Sequence, residues 1–159
     1  MTDPTDVAIS AADGSDEAAS ATARLLEQLP AWFGMAEAND AYVTSARELP
    51  ALIAQAGDEV VGVLLYRRHF PEAAEIHLMA IAPRWHRQGI GTAMIERLVS
   101  ELRLDGCRIL QVKTLGPSDP DPDYAVTRAF YRSVGFLAVE ETPAFWPGNP
   151  CLLMVKPLG

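Results

Sequence analysis

The apolar positions of this chain alternate between a period of about two and one near 3.6, and each change of period marks a predicted element. Val7 and Ile9 suggest a short first strand. Ser15 is an N-cap candidate for a helix carrying Ala19, Ala23, Leu26 and Leu29, which Pro30 stops. Trp32-Phe33-Gly34 forms an aromatic elbow before a second helix over about Glu37 to Arg47. Strands are predicted over Ala51–Ala56 and Val60–His69, joined as a hairpin through Gly57-Asp58. A third, Ala74–Ile81, places Glu75, His77, Met79 and Ile81 on one face. The spacing of Met94, Ile95, Leu98, Val99 and Leu102 predicts a sheet-covering helix from about Gly91 to Leu104, ended by Gly106. Arg108–Thr114 follows as a strand, and residues 116–123, with three prolines, as a loop. A helix over Tyr124–Val134 ends at Gly135 in a left-handed cap. Strands from Phe136 to about Phe145 and over Cys151–Lys156 close the chain. The order is strand, two helices, three strands, helix, strand, helix, two strands. It predicts an α/β fold with a mixed central sheet flanked by helices.

Composition narrows the setting. With 159 residues, 49% of them hydrophobic, one domain over 1–159 is expected, with Met1–Thr5 as a loose polar tail. A formal charge of −8 argues against a nucleic-acid partner, which needs a basic face. No apolar run reaches the length of a membrane span, and no basic-then-apolar leader opens the chain. A cytoplasmic protein with no membrane partner is expected. Cys107 and Cys151 fit no disulfide framework or metal spacing, and read as reduced, packed thiols. His69, His77 and His86 are too scattered to suggest a metal.

The segment carrying the most chemistry is Ala82-Pro83-Arg84-Trp85-His86-Arg87-Gln88-Gly89-Ile90-Gly91-Thr92, between a predicted strand and a predicted helix. A glycine-bearing turn into a helix leaves several backbone N–H groups unpaired, and the helix dipole adds positive potential there. Both favour phosphate. Glycine at 89 and 91 allows a ligand close to the backbone. A P-loop would need a lysine after Gly91, where Thr92 stands; a dinucleotide turn would need a third glycine where Met94 stands. An ordinary tight strand-to-helix turn is the plain alternative.

With Phe130-Tyr131-x-x-x-Gly135-Phe136 further along, this order of elements resembles the GNAT superfamily of acyl-CoA-dependent N-acyltransferases. The likeness covers about Ala51 to the C-terminus well and the two N-terminal helices more loosely. The family signature, Arg/Gln-x-x-Gly-x-Gly/Ala, reads here His86-Arg87-Gln88-Gly89-Ile90-Gly91, so His86 replaces the usual first residue. In the second motif Tyr124 stands at an Asn place and Thr127 at an Ala place, while Phe130, Tyr131, Gly135 and Phe136 match. The strings Val112–Ser118 and Asn149-Pro150-Cys151-Leu152 look like a branch of bacterial GNAT proteins.

The resemblance implies direct transfer of an acyl group from a CoA thioester to an amine in a ternary complex, with acetyl-CoA as co-substrate and no metal. It implies a small-molecule or peptide amine as acceptor and a homodimer at family level. His86, Arg87, Gln88, Gly89, Ile90, Gly91 and Thr92 then surround the pyrophosphate, with Tyr124 and Arg128 as further CoA candidates. Amides of Met79, Ala80 and Ile81 lie at the family's strand splay and are candidates for pantetheine and thioester contacts. Tyr131 matches the acid that protonates the leaving thiolate, since a phenol near 10 is still protonated where a thiol near 8.5 ionises. Glu75 and His77 are candidate bases, beside a water-mediated route. Trp32, Phe33 and Trp146 are acceptor-pocket candidates. A longer-chain transferase and a non-catalytic acyl-CoA sensor are the alternatives.

Overall fold

The computed structural model describes residues 6–12, 16–30 and 32–159. The expected tail Met1–Thr5 and the N-cap Ser15 lie outside the described residues. The elements run β1 (Val7–Ala12), α1 (Asp16–Glu27), α2 (Ala36–Ala46), β2 (Ala51–Ala56), β3 (Glu59–Phe70), β4 (Ala73–Ile81), α3 (Ile90–Leu104), β5 (Ile109–Leu115), α4 (Pro122–Ser133), β6 (Leu137–Thr142) and β7 (Cys151–Pro157). This is the expected order. The strands form one mixed sheet, β1-β2-β3-β4-β5-β7-β6, in which β4 and β5 are parallel and the other recorded pairings antiparallel. The chain divides into two compact units: residues 1–67 with 77–100, and residues 68–76 with 101–159.

In the first unit, β2 reads as a nearly continuous apolar run because both of its faces are covered. Ala51, Leu52, Ile53 and Ala54 are all buried. Gly62 on β3 lacks the Cβ that would meet Met94 Sδ at 3.1 Å, so the apolar stripe of α3 seats directly on the strand. Met94, Ile95, Leu98 and Val99 are all buried, each worth about 1.5–3 kcal/mol. Helix α1 packs with Ala18, Ala21, Leu25 and Leu26, and the buried Thr22 hydroxyl returns its hydrogen bond to the Ala18 carbonyl at 2.8 Å.

In the second unit, β5 lies between β4 and β7, with Leu110, Val112 and Met154 buried. Two boundaries differ from expectation. Helix α4 begins at Pro122, inside the expected loop, because Asp121 caps it by accepting from the Asp123 N–H. The proline therefore occupies the first helical position, where its missing N–H costs nothing. Strand β6 ends at Thr142, three residues before Phe145, and its residues are mostly exposed on a sheet edge. At the far end of α4, Gly135 adopts φ +100, and the Phe136 N–H donates back to the Tyr131 carbonyl at 3.0 Å. That is the expected left-handed cap.

Candidate functional site

Strand β4 leaves the sheet through a turn that the first unit braces at several points. The Ala82 N–H donates to the Val61 carbonyl at 2.8 Å, and Pro83–Trp85 makes one 3-10 turn with Trp85 buried beneath it. His86 Nε2 donates to the Ile81 carbonyl at 2.7 Å, and its ring meets Trp32 edge-on at 5.7 Å. Arg87 (φ +62) and Gly89 (φ +82) are both left-handed, and such reversals turn successive backbone N–H groups toward a common concavity. Helix α3 then starts, its first intrahelical donor being Ala93 N–H to Gly89 O at 3.0 Å. The amides of Ile90, Gly91 and Thr92 lie in the first turn, where no intrahelical acceptor exists. No acidic residue stands there to neutralise the dipole.

A Cβ at Gly89 would meet nothing within 4 Å, so the backbone of the turn is open there. The basic side chains divide their work. Arg84 is ion-paired with Glu59 and His86 clasps the strand end, which leaves exposed Arg87 as the cation facing outward. Gln88 turns its amide back to the Arg84 carbonyl at 2.9 Å. On β4, Met79 and Ile81 are half-buried on one face, and Ala80 is buried on the other.

The two candidate bases have different surroundings. Glu75, 6% exposed, accepts from His69 Nε2 at 2.6 Å and Gln111 Nε2 at 3.2 Å, and pairs with Lys113 Nζ at 3.3 Å. Burial pushes its carboxyl up, but the bonds from His69 and Gln111 and the charge of Lys113 outweigh it and hold it below the usual carboxylate range. Lys113 also sits 4.5 Å above the Phe145 ring. In the first unit, His77 Nδ1 lies 3.2 Å from Arg67 Nη2. A guanidinium only donates, so Nδ1 accepts and carries no proton. The His77 ring meets Tyr42 at 5.4 Å, and Tyr42 meets Phe33 at 5.9 Å, both edge-on. Burial raises the Tyr42 phenol above its ordinary value.

On α4, Tyr131 is 5% exposed, with its ring against Phe130 at 5.4 Å and Phe136 at 5.3 Å. Tyr124 is half-buried in the first turn. Arg128 spends a donor on the Leu115 carbonyl at 2.8 Å, tying α4 to the end of β5. Trp146 is half-buried in the segment between β6 and β7. Among the described residues, no three His, Cys, Asp or Glu side chains gather as a metal site, and no helix is long and apolar enough to cross a membrane. Arg67, Tyr42, and the roles of His69 and Phe145 were not singled out from sequence.

The site is framed by a mixed sheet with parallel β4 and β5 and by the left-handed turn between β4 and α3. The chain belongs to the acetyltransferase (GNAT) family, whose sequence model matches residues 20–136. Among solved structures, a GNAT-family protein of Desulfovibrio desulfuricans is 23% identical with a TM-score of 0.83, over 96% of this chain and 99% of that one. The ribosomal-protein-S18-alanine N-acetyltransferase of Escherichia coli is 17% identical with a TM-score of 0.77, over 96% and 94%. A GNAT acetyltransferase of Elizabethkingia anophelis with acetyl-CoA bound is 16% identical with a TM-score of 0.71, over 96% and 98%. No curated protein sequence matches the chain.

Proposed function

We propose that this chain, working as one domain over 1–159, moves an acetyl group from acetyl-CoA directly to a primary amine of a small molecule or peptide. The observation that carries the reading is the turn over Arg87–Thr92: two left-handed residues, an open Gly89 and a helix start without acid. Its amides hold the pyrophosphate, and Arg87 adds a cation at the rim. Amides of Met79–Ile81 are the proposed pantetheine and thioester contacts, where an N–H aimed at the carbonyl oxygen stabilises the charge that develops on attack.

An alkylammonium must lose a proton before it can attack. Glu75 and His77 each already hold a partner on the atom that would take it, so a water chain is the favoured route. After attack the thioester C–S bond breaks, and Tyr131 is the proposed donor to the departing thiolate. The test is calorimetric binding of CoA, followed by an amine panel with acetyl-CoA read by free-thiol release. CoA binding with turnover of at least one amine is expected. Binding without turnover across a broad panel would instead favour an acyl-CoA sensor.

A further inference from the structure

Arg67 is half-buried, yet it makes no ion pair among the described residues. The more exposed Arg47, Arg68 and Arg84 each hold a carboxylate, Asp16, Asp105 and Glu59 respectively. Acids are not scarce in a chain with 21 of them against 13 Lys and Arg. Among the described residues, the one hydrogen bond of the Arg67 side chain is Nη2 donating to His77 Nδ1. That bond uses one of the five donors on a planar fork whose shape matches a carboxylate. Removing a guanidinium from water without an anion is unfavourable, so the position is incomplete by itself.

What surrounds Arg67 indicates the rest of the ligand. His77 beside it is walled by Tyr42, and Tyr42 by Phe33, giving an aromatic surface next to the cation. We propose that Arg67 binds a carboxylate carried by the acceptor amine, whose apolar body packs on the Phe33-Tyr42-His77 cluster. The inference rests on the acyl-transfer reading above and narrows its acceptor to amines that also bear a carboxylate. A carboxylate is preferred to a phosphate because one guanidinium balances one charge. A second negative charge would remain uncompensated in a protein of net charge −8.

Two measurements test this on the full chain. In turnover with acetyl-CoA, phenylalanine is compared with phenethylamine, the same amine without its carboxylate. Separately, 3-phenylpropionate, which has no amine to acetylate, is titrated into the CoA-loaded protein. The expected results are a KM at least about tenfold lower for phenylalanine, and saturable binding of 3-phenylpropionate. Arg67→Met should weaken that binding about tenfold or more and Arg67→Lys should restore part of it; one charge-assisted contact is of that size. Equal KM values, no binding of 3-phenylpropionate, or equal binding by Arg67→Met overturns the proposal. Binding that depends on Arg67, with no amine acetylated, sustains the anion site and removes the acyl-transfer reading instead.

Discussion

His86 Nε2 donates to the Ile81 carbonyl at 2.7 Å, so the side chain that replaces the family's usual arginine or glutamine closes the turn on itself. The carbonyl can only accept, which fixes the proton on Nε2. The substitution therefore changes a side chain's partner and leaves the backbone amides of the turn in place. His86→Ala should lower thermal stability by about 1 kcal/mol, the net worth of such a bond. Calorimetry should also show several-fold weaker CoA binding. Undiminished affinity would mean that His86 has no part in shaping the turn.

Gly89 at φ +82 has space for a side chain but not the backbone conformation for one. Gly89→Ala should cost about 1–2 kcal/mol, the usual penalty for an L-residue held left-handed. Gly135→Ala should cost more, because its Cβ would also displace Lys156 Nζ from its 2.7 Å bond to the Val134 carbonyl. Chemical denaturation of both variants measures the ranking. A bulky residue at 89 should in addition weaken CoA binding with the fold retained.

Glu75 yields a prediction with a definite sign. Its folded carboxyl is held below the ordinary value, so its contribution to stability is present above the unfolded value and disappears as pH falls through the folded one. Glu75→Gln should lose about 1–3 kcal/mol near neutrality, where His69 and Lys113 lose their anion. The loss should shrink in urea titrations carried from about pH 6 to about pH 3. A constant difference across that range would contradict the ion-paired assignment.

Tyr131→Phe keeps the ring contacts with Phe130 and Phe136, so stability should change little. Turnover should fall about a hundredfold, within the usual range for a positioned acid, while CoA affinity holds. Steady-state kinetics beside calorimetry separates the two effects. An unaltered kcat would leave Tyr131 as a packing residue of α4.

Both cysteines are buried, and burial pushes the Cys151 thiol upward. A thiol reagent at neutral pH should therefore label the native protein slowly and the unfolded protein rapidly. The assay that reads released CoA thiol should show a correspondingly low background.

Much of the fold was legible because each element carries a local signal. The stripe from Met94 to Leu102 has the spacing of a helix face, and Gly135 takes the positive φ that its place after a helix implies. The start of α4 differs from its local signal: the three prolines of 116–123 predict a loop, yet Asp121 caps the helix and Pro122 is its first residue. The placement of β7 between β5 and β6 was not legible, because no local pattern states which strand a distant one pairs with.

The same division runs through the candidate site. The place of the turn was readable in the chain, since Gly89 ahead of a helix-spaced stretch takes the left-handed conformation that its position implies, and the spacing to Tyr131 tied it to a family. Only the tertiary structure decided what the side chains do. Glu75 and His77 are two residues apart on one strand, yet one is an ion-paired carboxylate and the other accepts from an arginine. Their partners come from β3 and β5, and partners set charge, tautomer and proton affinity. Arg67 became visible for the same reason, because having no ion pair among the described residues is a property of three-dimensional neighbours and is written in no sequence pattern.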